Sequence, residues 1–170
     1  MPDAPLTLLI GGARSGKSAY AERLISKLPS PWTYIATGQA FDDEMRERID
    51  HHRIRRGNGW RTVEAPLDLA GALAEIDDGA PVLVDCLTLW LTNHMLAGRD
   101  LEQETDRLCS VLGCPRGPWF IVSNEVGMGI VPENALARRF RDEAGRINQR
   151  VATLADHVLF MAAGLPMVMK

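Results

Sequence analysis

The chain has 170 residues, of which 46% are hydrophobic and 24% charged, and a net charge of −3. That is enough for one buried core and short for two domains, and it lacks the global positive field that draws proteins to nucleic acid or anionic membranes. Cys86, Cys109 and Cys114 are an odd set without paired spacing, which speaks against a disulfide framework or a zinc site and fits a reducing compartment. The first residues run into an apolar strand with no charged leader, and no apolar run approaches the ~20 residues of a membrane span. The expectation is a single cytoplasmic domain over 1–170.

Leu6 to Ile10 is an unbroken apolar run closed by Gly11-Gly12, as in a parallel strand buried on both faces, and it predicts a central strand. From Lys17 the spacing turns helical, with Ala21, Leu24, Ile25 and Leu28 on one face until Pro29 and Pro31. Trp32 to Ala36 predicts a second strand, broken by Thr37-Gly38. In "DDEMRERIDHHRIRR", residues 42–56, acids precede arginines, an order that suits the helix dipole, and Gly57 supplies a stop. Pro66 to Ile76 predicts a further helix, and Val82 to Cys86 a third strand ending near an acid, Asp85. Helices follow over Leu87 to Leu96 and Leu101 to Leu112, then a fourth strand over Trp119 to Ser123. Glu133 to Leu154 is the longest predicted helix, with Leu136, Phe140, Ala144, Ile147 and Val151 at three- and four-residue steps. His157 to Ala162 and Met167 to Met169 predict late strands joined as a hairpin through Gly164 and Pro166. Strands alternating with helices imply an α/β fold, a mostly parallel sheet with helices on both faces.

Gly11-Gly12-Ala13-Arg14-Ser15-Gly16-Lys17-Ser18 satisfies the G-x-x-x-x-G-K-[ST] pattern of a phosphate-binding loop, after a strand and into a helix. Its glycines let successive backbone N–H groups and the positive end of the helix face a phosphate. Lys17 adds a mobile charge for the β- and γ-phosphates, and the Ser18 hydroxyl is a Mg²⁺ ligand of the right hardness. Asp85 at a strand end is the matching acid for the magnesium shell; the lesser alternative is a cap for the helix beginning near Leu87, and the two roles are compatible. No N-K-x-D tetrapeptide selects guanine. His51 and His52 stand ~100° apart on a helix, so they cannot share a face. Met45, Ile49 and His52 group on the more apolar side, and Glu44, Arg48, His51 and Arg55 on the charged side. By themselves these histidines read as solvated or core-packed, or as a nucleophile or acid–base group. "VSNEVGMGIVPEN" follows a strand end, where open α/β sheets bind ligands, and also reads as a plain connection.

Together "GGARSGKS", "YIATGQAFDDEMRERIDHHR", "WRTVEAP", "SNEVGMGIVPEN" and "RRFRDEAGRINQRVA" resemble the bifunctional adenosylcobinamide kinase/adenosylcobinamide-phosphate guanylyltransferases of cobalamin assembly, from about residue 8 to about 155. The DDEM-to-HH and NEVGMGIVPEN blocks, in that order, carry the specificity. The resemblance implies a RecA-like P-loop NTPase fold and two reactions. ATP or GTP phosphorylates the aminopropanol hydroxyl of adenosylcobinamide, and GTP then donates GMP to that phosphate, by way of a guanylylated histidine that the motif places at His51. It also implies that Ala36, Thr37, Gly38, His52, Arg53, Ile54, Arg55, Glu64 and Asp85 line the nucleotide site, and that the chain is a homotrimer. The segment with "GCPRGP" lies in 97–118, where members differ in length. Two other readings of the phosphate loop stand beside this one: a kinase that only phosphorylates a small alcohol, and a nucleotide-binding regulatory module without turnover.

Overall fold

The computed structural model describes residues 5–39, 57–76 and 79–170. In chain order these form β1 (Leu6–Gly11), α1 (Lys17–Ile25), β2 (Trp32–Ala36), β3 (Trp60–Glu64), α2 (Leu69–Ala74), β4 (Val82–Asp85), α3 (Leu87–Leu96), α4 (Leu101–Leu112), β5 (Trp119–Asn124), α5 (Ala135–Leu154), β6 (His157–Ala162) and β7 (Leu165–Val168). The strands make one seven-stranded sheet in the order β3-β2-β4-β5-β1-β6-β7. Every pairing is parallel except the terminal β6–β7 hairpin.

The central strands are apolar throughout because both of their faces are covered. Leu6, Leu8, Val82, Val84, Trp119 and Ile121 point to the side packed by α2, α3, α4 and α5. The alternate residues Leu9, Leu83, Phe120 and Val122 meet Ala21 and Ile25 of α1 on the opposite side. Side chains alternate along a strand, so a continuous apolar run supplies both layers. Helices therefore lie on both faces, as expected.

The structure departs from the sequence expectations at identifiable places. α1 ends at Ile25, because Lys27 N and Leu28 N bond the carbonyls of Leu24 and Ile25 in a tight last turn, and Leu28 falls beyond the helix. β3 has no counterpart among the predicted strands: it is an edge strand whose Arg61, Thr62 and Glu64 are exposed, so it carries no apolar run. Leu136, expected on the buried face of the last helix, is 56% exposed, while Ala144, Ile147, Asn148 and Val151 are buried. The hairpin turns at Ala163 and Gly164, both at positive φ (51° and 78°), and Pro166 lies within β7 opposite Met161. A proline that cannot donate to a ladder is tolerated on such an edge strand. The predicted helix over 42–56 lies outside the described residues.

Candidate active site

β1, β2, β3, β4 and β5 all end at the same edge of the sheet, because parallel strands in register stop together. Gly11 pairs with Asn124 and Met161, and Ala36 pairs with Asp85 on one side and Glu64 on the other. The loop from Gly12 to Gly16 turns there into α1, with Arg14 at φ 56° and Gly16 at φ 92°. Gly16 is the N-cap of α1 and no side chain caps that helix, so the first-turn N–H groups are left to an anion.

Lys17 is buried, and its Nζ lies over the loop, donating to the carbonyl oxygens of Gly12 (2.6 Å) and Gly11 (3.0 Å) and, at 3.4 Å, to Ser15 Oγ. Burial lowers its pKa from the ordinary value, against the neighbouring Cys86 and Asp85 at the end of β4, which work to raise it. Asp85 ends β4 at the same edge of the sheet, with β5 between its strand and β1. It accepts a hydrogen bond from Tyr34 Oη at 3.3 Å. It does not cap α3, whose N-cap is Cys86 without a side-chain cap, so that reading of Asp85 falls away.

A buried polar network stiffens this edge. Thr37 Oγ1 accepts from Cys86 N (2.8 Å) and donates to Cys86 O (2.7 Å), and Asn93 Nδ2 donates to the carbonyls of Thr37 (2.7 Å) and Pro66 (2.9 Å). Asn124 Nδ2 donates to Thr88 Oγ1 (2.7 Å), Ser123 Oγ to Asn148 Oδ1 (2.6 Å), and Asn148 Nδ2 to the Asn124 carbonyl (3.1 Å). Burial and the adjacent Asp85 charge push the Cys86 thiol up, away from the thiolate form that makes a cysteine reactive.

The site residues named from the sequence fall into three groups. Gly11, Gly12, Ala13, Arg14, Ser15, Gly16, Lys17 and Ser18 form the loop and the start of α1, and Asp85 lies at the same edge, two strands away at the end of β4. Ala36, Thr37 and Gly38 lie at and just past the end of β2 on the same edge. Glu64 ends the edge strand β3, four strand spacings of ~4.8 Å from β1 and so roughly 19 Å from the phosphate loop. His51, His52, Arg53, Ile54 and Arg55 lie outside the described residues. Sequence reasoning missed Tyr34, Thr88, Asn93, Asn124 and Asn148. Asn148 did carry a signal, a polar residue set in the apolar stripe of Ala144, Ile147 and Val151.

A glycine loop with a buried lysine, leading from a central parallel strand into a helix, with a strand-end aspartate at the same edge of the sheet, defines a P-loop nucleotide-binding α/β protein. Solved structures agree on the fold. A type III secretion system ATPase of pathogenic bacteria superposes with a TM-score of 0.59 at 10% identity, covering 97% of this chain and 57% of that one. A protein of Pyrococcus horikoshii OT3 gives 0.58 at 9% identity, over 98% and 86% of the two chains. Sequence comparison is more specific: the family described as cobinamide kinase / cobinamide phosphate guanyltransferase matches residues 7–169, and the chain belongs to it. It is 49% identical to the bifunctional adenosylcobalamin biosynthesis protein CobP of Pseudomonas aeruginosa, over 96% of each chain. It is 42% identical to the corresponding CobU protein of Salmonella typhimurium, over 97% of this chain and 99% of that one.

Proposed function

We propose that this chain runs both reactions of its family at one nucleotide site: phosphorylation of adenosylcobinamide, then transfer of GMP from GTP to the resulting phosphate through His51. The observation that carries the reading is the Lys17 ammonium held over the phosphate loop, with Asp85 ending β4 at the same edge of the sheet. In the first reaction the aminopropanol oxygen attacks the γ-phosphorus of ATP or GTP, and the nucleoside diphosphate leaves. In the second, neutral His51 attacks the α-phosphorus of GTP and pyrophosphate departs. An oxygen of adenosylcobinamide phosphate then displaces the imidazole, giving adenosylcobinamide-GDP. Ala36, Thr37, Gly38, His52, Arg53, Ile54, Arg55 and Glu64 line the nucleotide in this reading.

Mg²⁺ suits the donors present, since the Ser18 hydroxyl and the Asp85 carboxylate are hard oxygen ligands. No cluster of three or more metal-binding side chains forms among the described residues, which fits an ion held largely by phosphates and water. When bound, the ion neutralises phosphate charge as the transferring group moves. Met128, Ile130 and Val131, 79%, 97% and 62% exposed, lie in the loop after β5 and offer the apolar surface that a bulky corrinoid needs. A homotrimer fits the exposed Leu165, Met167 and Val168 of β7, which a partner chain would cover. Among the described residues no helix is long and apolar enough to cross a membrane, and a cytoplasmic location suits the soluble substrates.

The test is incubation of the purified protein with adenosylcobinamide and Mg-GTP, with mass analysis of the products. Adenosylcobinamide-GDP and pyrophosphate are expected; phosphorylated cobinamide alone would reduce the chain to a kinase. His51→Ala should lose labelling by α-labelled GTP and guanylyl transfer while still phosphorylating cobinamide, and His52→Ala should keep the label. The label should be lost in acid and survive alkali, as a P–N bond does. Label lost from His52→Ala and kept in His51→Ala would move the nucleophile to His52.

A further inference from the structure

Phosphorylating an alcohol requires somewhere for the hydroxyl proton to go, and neither Lys17 nor Asp85, committed to phosphate charge and the magnesium shell, is free to take it. Three described carboxylates stand at the nucleotide edge of the sheet: Glu64 ending β3, Asp85 ending β4, and Glu125 directly after β5. Topology ranks them. β3 is four strands from the phosphate-loop strand β1, β4 is two, and β5 is its immediate neighbour. Glu125 is joined to the loop itself, its amide donating to the Gly11 carbonyl at 2.9 Å, the same carbonyl that accepts from Lys17 Nζ at 3.0 Å.

The side chain is held as well as the backbone. Glu125 Oε1 accepts the Gly127 amide at 2.5 Å, which ties the carboxylate to its own loop. The base of the loop is anchored by the Asn148 bond to the Asn124 carbonyl, and its far end by Arg138, whose Nη1 donates to the carbonyls of Pro132 and Glu133 at 2.9 and 2.6 Å. This places a carboxylate on a loop anchored at both ends, beginning directly after the strand that neighbours β1.

We propose that Glu125 is a further catalytic residue: it orients the aminopropanol hydroxyl of cobinamide and accepts its proton as phosphoryl transfer proceeds. The alcohol oxygen forms its bond to the γ-phosphorus while its O–H bond breaks toward Glu125. The bond from the γ-phosphorus to the bridging oxygen breaks with its electron pair, releasing nucleoside diphosphate, and Glu125 later returns the proton to water. Guanylyl transfer makes no such demand, because its acceptor is already a phosphate anion. The inference rests on the kinase reading of this site.

The experiment compares wild type, Glu125→Gln and Glu125→Asp in two assays: phosphorylation of adenosylcobinamide, and guanylylation of adenosylcobinamide phosphate supplied preformed. Glutamine keeps the oxygen that accepts the Gly127 amide and loses only the proton acceptor. It should lower kcat for phosphorylation by about 10²-fold or more with nucleotide KM changed less than about threefold, and change guanylylation by less than about threefold. Aspartate should recover part of the lost kcat. Equal losses in both assays would assign Glu125 a purely structural role and overturn the proposal. So would unchanged phosphorylation in Glu125→Gln, which would send the proton to the phosphate itself, or an aspartate no better than glutamine. A wild-type protein that never phosphorylates cobinamide would instead overturn the kinase reading on which the proposal stands.

Discussion

Lys17 carries two demands that pull against each other: it must be charged to hold phosphate, and it is buried. Burial lowers its pKa below the ordinary 10.5, so nucleotide binding should fail on the alkaline side at a pH below 10.5, as titration of affinity against pH would show. The linkage sign follows from the same shift. The unfolded chain holds this proton more tightly, so the buried ammonium costs stability at neutral pH, and the cost is relieved as pH rises through the folded value toward 10.5. Lys17→Ala should slow both half-reactions by roughly 10²–10³-fold, because both need the triphosphate neutralised in the same cradle. Near-normal turnover in either assay would separate the two sites. Asp85→Asn keeps the shape and removes the charge, so it should raise the Mg²⁺ concentration needed for half-maximal rate; an unchanged requirement would take Asp85 out of the metal shell.

Elements hold the loop through contacts that its own pattern does not contain. The turn of the terminal hairpin rests on it: Gly164 N donates to the Ser15 carbonyl at 2.9 Å. A Cβ on Gly16 would come within 3.0 Å of Gly164 Cα, whereas one on Gly164 would meet nothing within 4 Å. Both glycines sit at positive φ, which costs a non-glycine residue ~1–2 kcal/mol. Gly164→Ala should therefore lose about that much, while Gly16→Ala should lose more and weaken nucleotide binding besides; denaturant midpoints and nucleotide titration measure the two effects. In α5, Ile147→Ala should cost ~2–5 kcal/mol by opening a cavity, and the exposed Leu136→Ala less than about 0.5 kcal/mol, although periodicity alone puts both on one face. The reason is positional: Leu136 lies in the first turn of α5, beyond the cover of the sheet, and only Phe140 onward packs on the core.

At the scale of the molecule, one sheet carries the nucleotide edge and both apolar layers, so a ligand at that edge should stabilise the whole fold. Mg-GTP at about 100 times its Kd should add ~2.7 kcal/mol to unfolding, seen as a rise in Tm that Lys17→Ala abolishes. The central strands and the phosphate loop were legible in the sequence because local constraint sets them. β1, β4 and β5 are apolar whichever helices cover them, and the glycine-lysine spacing answers to phosphate geometry alone. The family blocks were legible for the same reason, being contiguous in the chain. Edge strand β3 was not, since a strand with exposed Arg61, Thr62 and Glu64 has no burial pattern to betray it. Nor were the strand order, the polar network from Thr37 to Asn148, the rest of Gly164 on Ser15, or the place of Glu125 beside Gly11. Each joins residues far apart in the chain, and such partners meet only when parallel strands stack in an order that loop and core packing, rather than any local pattern, decide.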